Sequence, residues 1–262
     1  MSFGYQVLGF GAFPNRVAAA DFTVTLSSNV NNYNLATDLS NNGSNYGAGN
    51  WDGTSAITVV LNIDAGVTVY SANTSTPSLV VDLATSDSVL TINNSGSVVG
   101  KGGAAVAGDT SNGATGNAGG HAMSMQDVTV TINNASGAKI QGGGGGGGSG
   151  GGATQVGSAV DSEGVCQDGI SKTGGQGGAG AAAANATAAA ENGTDGTSAS
   201  GTGGNGGDFG AAGSAGGTAT NTGCKVANGA GGAGGAAGKA IRAVSGVSQT
   251  LNNSGTVAGA TS

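Results

Sequence analysis

The chain has 262 residues, of which 57 are glycine and only 2 are proline; 8% are charged, and the formal net charge is −7. The acidic balance argues against nucleic-acid binding, the scarcity of proline excludes collagen, and no apolar run approaches the roughly 18 residues of a membrane span. Because glycine and alanine bring little apolar area, we expect backbone hydrogen bonds and β-rich segments to stabilise the fold.

Residues 1–20 form a short arm that is rich in aromatic side chains. Residues 21–100 are expected to form a β-rich domain, because apolar and polar residues alternate there between clusters of Asn, Ser and Gly. The predicted strands are Phe22–Leu26, Ile57–Ile63, Val67–Tyr70 and Leu79–Leu83, with a turn and short strand at Asn29–Leu35 and a loop at Asn41–Gly53 that carries the only tryptophan, Trp51.

One unit then occurs three times, at Val89–Gly100, Val128–Gly142 and Val247–Gly259. Each copy is a strand, an Asn-Asn turn that ends in glycine, and a second short strand. The first two copies run directly into glycine-rich chain. The repeat therefore predicts that the three turns occupy equivalent positions on one β layer, to which the glycine-rich part is docked.

The run Gly142–Gly152, GGGGGGGSGGG, continues directly from the second copy. A flexible linker is the ordinary interpretation of such a run. The alternative is polyglycine II, a left-handed helix with three residues per turn, whose bare faces let neighbouring backbones come within hydrogen-bonding distance. A run that is glycine on all three faces is expected at the centre of a bundle. Its expected neighbours are Gly174–Gly180, Gly201–Gly207 and Gly229–Gly238.

These patterns predict the fold class of the whole chain as all-β plus polyglycine II, with little or no α-helix. The β-rich N-terminal half, with its repeated strand-turn-strand units, is followed at residues 101–262 by a polyglycine II bundle with interleaved β strands and apical loops.

Motifs for catalysis, metals or cofactors are not evident. The one histidine, His121, has Lys239 as its counterpart in the repeat, so a turn-capping or solvated role is favoured over catalysis. Asp208, in GGNGGDF, resembles one copy of a calcium-binding β-roll repeat, and a single copy cannot build a two-turn site. We therefore predict that the chain is not an enzyme and needs no cofactor or metal.

The unit Ile-Asn-Asn-Ser-Gly-x-Val-x-Gly running into polyglycine, together with the return sequence Gly-Gly-His-Ala, resembles the distal tail-fibre adhesins of T-even-like phages. The upstream part, at Asn32–Leu35, Gly49–Gly53 and Leu61–Tyr70, is similar to glycine-rich virion proteins of other tailed phages. The resemblance covers roughly residues 30–260. Two features depart from it: only one aromatic residue follows Tyr70, and the N-terminal region does not match the T-even attachment domain.

The resemblance implies a virion adhesin, whose polyglycine sandwich displays loops that bind a host cell-surface protein or glycan. Residues 1–20 are expected to be a virion-attachment arm that contacts another virion protein; homo-oligomerisation is left open. The alternative is a structural capsid or tail decoration or fibre protein without receptor binding. An ice-binding protein is a third interpretation, which the long irregular loops disfavour.

Receptor contact is predicted for the loops between glycine-rich segments at the end of the bundle away from the β layer. Phe209 is the expected anchor, because buried aromatic side chains dominate recognition energies. The predicted contact residues are Gln167, Asp168, Lys172, Asn192, Asp195, Asp208, Phe209 and Lys225.

The two cysteines, Cys166 and Cys224, stand in the two longest interruptions of the glycine pattern. We expect them to form a disulfide that clamps two loops, since a particle outside cells is exposed to an oxidising environment. Two independent thiols are the other interpretation.

Overall fold

The computed structural model describes residues 21–47, 49–108, 111–156, 169–172, 174–178, 180, 190–196, 200–220 and 225–262. The first strands in chain order are β1 (Phe22–Leu26), β2 (Val30–Asn31), β3 (Tyr33–Asn34), β4 (Thr58–Ile63), β5 (Thr68–Tyr70), β6 (Leu79–Asp82), β7 (Val89–Asn94) and β8 (Ser97–Val99). They are followed by β9 (Met123–Gln126), β10 (Val128–Asn134), β11 (Lys139–Gln141), β12 (Ala153–Val156), β13 (Gly169–Lys172), β14 (Lys225–Asn228), β15 (Ile241–Ala243), β16 (Val247–Asn253) and β17 (Thr256–Ala258). One helix, α1 (Leu35–Asn42), and one turn of 3₁₀ helix (Gly43–Asn45) follow β3.

Successive coils of the chain add strands to three parallel sheets. The sheet orders are β1-β4-β7-β10-β16, β17-β11-β8-β5-β2 and β15-β9-β6-β3. Coil 1 contains β1 to β3, coil 2 contains β4 to β6, coil 3 contains β7 to β9, coil 4 contains β10, β11 and β15, and coil 5 contains β16 and β17. The chain therefore forms a three-sided parallel β-solenoid, and the β-rich class predicted from the sequence is confirmed.

The three sequence repeats are the first two sides of coils 3, 4 and 5. Asn133 of β10 lies in register between Asn93 of β7 and Asn252 of β16. The next residue of each strand, also asparagine, follows the same register. The prediction that the three turns occupy equivalent positions on one layer is confirmed.

Alternate residues of each long strand point into the solenoid, as the period of two requires. In β4, β7 and β10 the inward residues are buried, among them Leu61, Ile92 and Ile132, each with no exposed surface. The core is thus a stack of aliphatic side chains, one layer per coil. The sequence predicts these strands because their apolar positions alternate without interruption.

The first coil is covered by α1, a helix that the sequence analysis did not predict, and by the loop that follows it. In α1, Leu35 and Leu39 lie one turn apart and are fully buried, and Trp51 from the following loop is also buried. The side chain of Asn34 caps the helix by accepting a hydrogen bond from the backbone N–H of Thr37. A short amphipathic helix thus closes this end of the core.

The glycine-rich chain is inserted into the solenoid between the second and third sides of coils 3 and 4. Residues 100–122 connect β8 to β9, and residues 142–240 connect β11 to β15. The sequence analysis expected a domain boundary near residue 100. One sheet contains strands from both sides of it, because β10 and β16 extend the sheet that β1 begins. The solenoid is therefore discontinuous in sequence.

Gly142–Gly152 is buried throughout and exchanges backbone hydrogen bonds with six neighbouring glycine-rich segments. Towards each neighbour the bonding residue recurs every third position: Gly145, Gly148 and Gly151 donate to Ala211, Ser214 and Gly217. The central position expected of this run is confirmed. The period of three equals the number of residues per turn of polyglycine II, but that conformation itself stays a prediction.

Candidate functional site

The bundle of glycine-rich segments has two ends that face different surroundings. Its proximal end lies beside the solenoid, where Gly142 follows β11, and its distal end lies at Gly152, where β12 begins. Gly229 donates a hydrogen bond to Gly152 at the distal end, whereas Gly238 donates to Gly143 at the proximal end. Such pairings give the direction of each segment.

Three short strands form an antiparallel sheet at the distal end. β12 is central and has β13 and β14 on either side of it. In this register Lys172 lies opposite Ala153, and Lys225 lies opposite Gln155. The sheet therefore brings two of the predicted contact residues together, in a part of the chain where the sequence analysis expected loops.

Asp195 also lies towards the distal end, and Asn192 lies nearer the middle of the bundle. The neighbouring Thr194 accepts a hydrogen bond from Gly203, and Glu191 accepts one from Gly206. The segment 190–196 therefore runs outwards, antiparallel to residues 201–207. Both predicted contact residues are exposed.

Asp208 and Phe209 lie at the proximal end, so the expectation that they belong to the distal surface is wrong. The next residue, Gly210, has φ +69° and donates a hydrogen bond to the carbonyl oxygen of Gly142. Its Cα is packed against the backbone of Ala258 in β17, because a Cβ there would overlap Ala258. Phe209 is half-buried and Asp208 is exposed.

The reason for this difference is the number of passes through the bundle. From Gly142 the chain runs outwards at 142–152, inwards at 174–180, outwards at 190–196 and inwards at 200–207. The turn after residue 207 must then face the solenoid. The sequence analysis did not count 190–196 among the glycine-rich runs, and without that pass the count places the turn after residue 207 at the distal end.

The remaining predicted residues, Gln167, Asp168, Cys166 and Cys224, lie outside the described residues. Their neighbours along the chain are described: β13 begins at Gly169, and β14 begins at Lys225. Both strands start opposite the outer half of β12, since Gly169 pairs with Val156 and Lys225 pairs with Gln155.

His121 lies where the first insertion returns to the solenoid. Its Nδ1 accepts a hydrogen bond from the backbone N–H of Lys239, at 2.9 Å. Burial lowers the pKa of His121, and the positive charges of Arg242 and Lys239 lower it further. The imidazole therefore joins two return points of the chain, in agreement with the capping role favoured by the sequence.

Two surface cavities lined by described residues lie on the solenoid. One, of about 350 Å³, lies beside α1 and is lined in part by Trp51 and Asp82. The other, of about 310 Å³, follows the asparagine turns and is lined in part by Asn93, Asn133 and Asn252.

The chemistry available at the distal end is that of hydrogen bonds and charge. Across the described ranges, no three His, Cys, Asp or Glu side chains are grouped so that they could hold a metal ion. Over the same part of the chain, none of the helices has the length and apolar character needed to cross a membrane.

The model of the family described as phage tail fibre adhesin Gp38 matches residues 21–262. Among solved structures, the chain is similar to one from the gp37-gp38 adhesin tip complex of the bacteriophage S16 long tail fibre. The TM-score is 0.50 at 22% sequence identity, and the alignment covers 92% of this chain and 82% of that chain. No curated protein matches.

Proposed function

The chain belongs to the phage tail fibre adhesin Gp38 family, and from this premise we propose that it attaches the virion to its host through the distal end of the glycine-rich bundle. The ligand is a protein or glycan on the bacterial surface. As a tail fibre adhesin the chain is a virion component, and its family points to binding rather than catalysis.

The distal sheet is the observation that carries the proposal. It is the part of the described chain that lies farthest along the bundle from the solenoid, and it collects Lys172, Lys225 and the nearby Asp195. Gln167 and Asp168 precede β13 directly in the sequence and complete the proposed contact surface. Asn192 stands at its margin.

Asp208 and Phe209 do not belong to this surface. If each residue of the bundle rises by about 3.1 Å, the nine steps from Gly142 to Gly151 separate the two ends by roughly 28 Å. A receptor that contacts Lys225 at the distal end would not reach Phe209 through the same patch. We therefore assign recognition to charged and amide groups rather than to an aromatic anchor.

The scaffold of this surface is, we propose, a polyglycine II bundle. The hydrogen bonds of Gly142–Gly152 recur every three residues towards each neighbour, as a helix with three residues per turn requires. Such a support holds the distal strands in place before the receptor arrives, so that little ordering entropy is lost on binding. The distal sequence can vary on it without a change in the bundle.

A disulfide between Cys166 and Cys224 would fix the distal sheet further. Cys224 directly precedes β14 in the sequence, and Cys166 lies three residues before the first residue of β13. The bond requires the two Cα atoms to lie within roughly 7 Å of each other. A mass difference of two hydrogens between oxidised and reduced protein is the test.

We propose that the N-terminal region attaches the chain to the virion. The solved structure with the similar fold is a complex with another fibre protein. In our proposal residues 1–20, with their clustered aromatic side chains, contact such a partner.

The test is adsorption of particles that carry changes at the distal end. Lys172→Glu and Lys225→Glu, together, are expected to slow adsorption by at least tenfold, and exchange of residues 157–168 with those of another adhesin is expected to change the host range. Phe209→Ala is the control at the opposite end of the bundle, with normal adsorption expected.

Normal adsorption and an unchanged host range for every distal variant would reject the receptor proposal. The structural alternative, a fibre component without receptor binding, would then remain. Reduced adsorption by Phe209→Ala alone would place recognition at the proximal end instead.

A further inference from the structure

The cavity that follows the asparagine turns crosses three coils of the solenoid. This asparagine groove has a volume of about 310 Å³ and is lined in part by Asn93, Asn133 and Asn252, which belong to coils 3, 4 and 5. The three residues lie in register on neighbouring strands of one sheet. Because such strands are about 4.8 Å apart, the groove presents the same side chain at that interval.

Each amide of this row is held in place by its neighbours. The Nδ2 of Asn133 donates to the Oδ1 of Asn93 at 2.9 Å. The Nδ2 of Asn252 donates to the Oδ1 of Asn133 at 2.8 Å, and that of Asn93 donates to Asn62 of coil 2. The side chains are thus oriented before a ligand arrives, so little of their conformational entropy is lost on binding.

The row uses only part of its hydrogen-bonding capacity. A side-chain amide has two N–H donors and two acceptor lone pairs. Within the row, Asn93 and Asn133 each use one donor and one lone pair. These two side chains are half-buried, and Asn252 is exposed. Asn93 and Asn133 therefore each keep one donor and one acceptor for a molecule in the groove.

The groove is also uncharged. Its lining consists of asparagine, serine and alanine residues, so it lacks the cationic groups that hold phosphates and carboxylates strongly. Beside it, on the outward face of the same sheet, stand Thr91, Thr131 and Thr250, each two residues before an asparagine of the row. The ligand that suits this surface is neutral and rich in groups that both donate and accept hydrogen bonds.

We propose that the asparagine groove binds a linear, neutral polysaccharide of the bacterial surface, which crosses the strands with one sugar ring on each coil. A hydroxyl group both donates and accepts, and so complements the remaining N–H and lone pair of each amide. The interval between coils is close to the advance of one ring in an extended, β-linked chain. An extended peptide advances by only about 3.3 Å per residue, and would lose step with the amides within two coils.

This site is separate from the distal sheet and does not depend on the receptor proposal. Among the described residues that line the groove none is aromatic, so the contact rests on hydrogen bonds and is weak. Several such contacts gain strength together through avidity. Because successive coils present the same amide, the polymer can shift by one ring and bind again. The groove thus suits movement of a particle along surface polysaccharide until the distal sheet meets its receptor.

Affinity electrophoresis of the full chain, in gels that contain a polysaccharide, tests the groove. Glucomannan and hydroxyethyl cellulose are the neutral, β-linked probes, and carboxymethyl cellulose is the charged probe with the same backbone as the second. We expect each neutral polymer to reduce the mobility of the unchanged protein about twofold, as a weak contact repeated along a polymer does. Carboxymethyl cellulose is expected to have no effect.

Ala135→Trp fills the groove without removing an amide. Ala135 is exposed in the turn of coil 4 and lines the groove, so this variant is expected to lose the retardation. Ala65→Trp is the matched control, with retardation retained: Ala65 is exposed in the corresponding turn of coil 2 and does not line the groove. Asn252→Ala, which removes one amide of the row, is expected to weaken the retardation.

Equal mobility of the unchanged protein with and without both neutral polymers would overturn the proposal. Retardation that survives Ala135→Trp would overturn it as well. The protein with Lys172→Glu and Lys225→Glu separates the two sites, because its retardation is expected to persist. Loss of retardation in that protein would assign the polysaccharide to the distal sheet and would leave the receptor proposal standing without the groove.

Discussion

Each asparagine turn of the solenoid is tied to the next by side-chain amides. Asn94 donates to the Oδ1 of Asn134 at 2.8 Å, and Asn134 donates to Asn253 at 2.7 Å. Asn94 and Asn134 are buried and lie on the inner side of the turn. A second row, which includes Asn133 and Asn252, runs along the exposed side. The side-chain amides of Asn94 and Asn134 are therefore shielded from water and depend on these hydrogen bonds.

Asn134→Ala is therefore expected to lower the free energy of unfolding by about 1–3 kcal/mol, because it leaves the buried amide of Asn94 with one partner fewer. Asn252→Ala, on the exposed row, is the control, with an expected loss within about 0.5 kcal/mol. Urea unfolding of the two variants measures the difference. Equal losses would show that burial of the inner row contributes nothing.

The single histidine makes the stability of the fold depend on pH. The pKa of His121 in the folded chain lies below its ordinary value of 6.5, so the unfolded chain binds the proton more readily. The contribution of His121 is fully present above pH 6.5 and is lost as the pH falls from 6.5 through the lower pKa of the folded chain. Protonation of Nδ1 would also break its hydrogen bond with Lys239.

We expect the melting temperature to fall below pH 6.5 by more in the unchanged protein than in His121→Asn, which keeps an acceptor and does not titrate. Thermal unfolding between pH 5 and pH 8 makes the comparison. Parallel curves for the two proteins would contradict the assigned role.

Among the elements, Gly142–Gly152 depends most strictly on its residue type. A Cβ added at Gly145 would overlap the backbone carbonyl of Gly235, and one added at Gly147 would overlap that of Gly204. These contacts are with backbone, which cannot rotate away as a side chain can. Glycine is required here by the closeness of neighbouring chains rather than by φ.

Gly145→Val is expected to cost roughly 3 kcal/mol or more, or to prevent folding, since overpacking against rigid neighbours is severely destabilising. Ala233→Val is the control, because Ala233 lies in a neighbouring segment with its side chain exposed. Circular dichroism melting curves compare the two. An unchanged melting temperature for Gly145→Val would remove this run from the centre of the bundle.

The elements also show how far the sequence alone can lead. The repeat fixes the register of β7, β10 and β16, because a one-residue slip would turn every inward side chain outwards. On the third side of the solenoid β6 was predicted, whereas β9 and β15 were missed, because they are short and follow glycine-rich insertions, so no alternation long enough to recognise remains. The helix α1 was missed because LATDLSNN offers only two apolar positions on one face.

The site was predicted less completely than the fold. The distal position of Lys172 and Lys225 agrees with the expected end of the bundle, whereas Phe209 lies at the other end. Side-chain chemistry suggested Phe209 as an anchor, but chemistry carries no information about direction. Direction depends on the number of passes through the bundle, and the pass at 190–196 was taken for a loop in the sequence.

The molecule as a whole combines two kinds of interior. The solenoid buries aliphatic side chains such as Leu61 and Ile132, whereas the bundle buries hydrogen-bonded backbone. Exposure of apolar surface raises the heat capacity on unfolding, and exposure of polar surface lowers it. The bundle should therefore reduce the heat-capacity change of the whole chain.

An ordinary globular protein of 262 residues would show a heat-capacity change of about 3.1–3.9 kcal/mol/K on unfolding, from about 12–15 cal/mol/K per residue. We expect a value below about 3 kcal/mol/K. Scanning calorimetry at several pH values, under conditions where unfolding is reversible, gives the number. A heat-capacity change inside the ordinary range would contradict this prediction, because it would require the bundle to bury far more apolar surface than its composition provides.

The direction of the glycine-rich segments has a mechanical consequence. A particle held by its adhesin is pulled by flow, and a pull on the distal sheet acts along the segments. The hydrogen bonds between them run across that direction, so the force loads many bonds together in shear instead of opening them one after another. We expect the attachment to hold until the solenoid unfolds, because the loaded segments 142–152 and 229–238 are continuous with its strands β11 and β15.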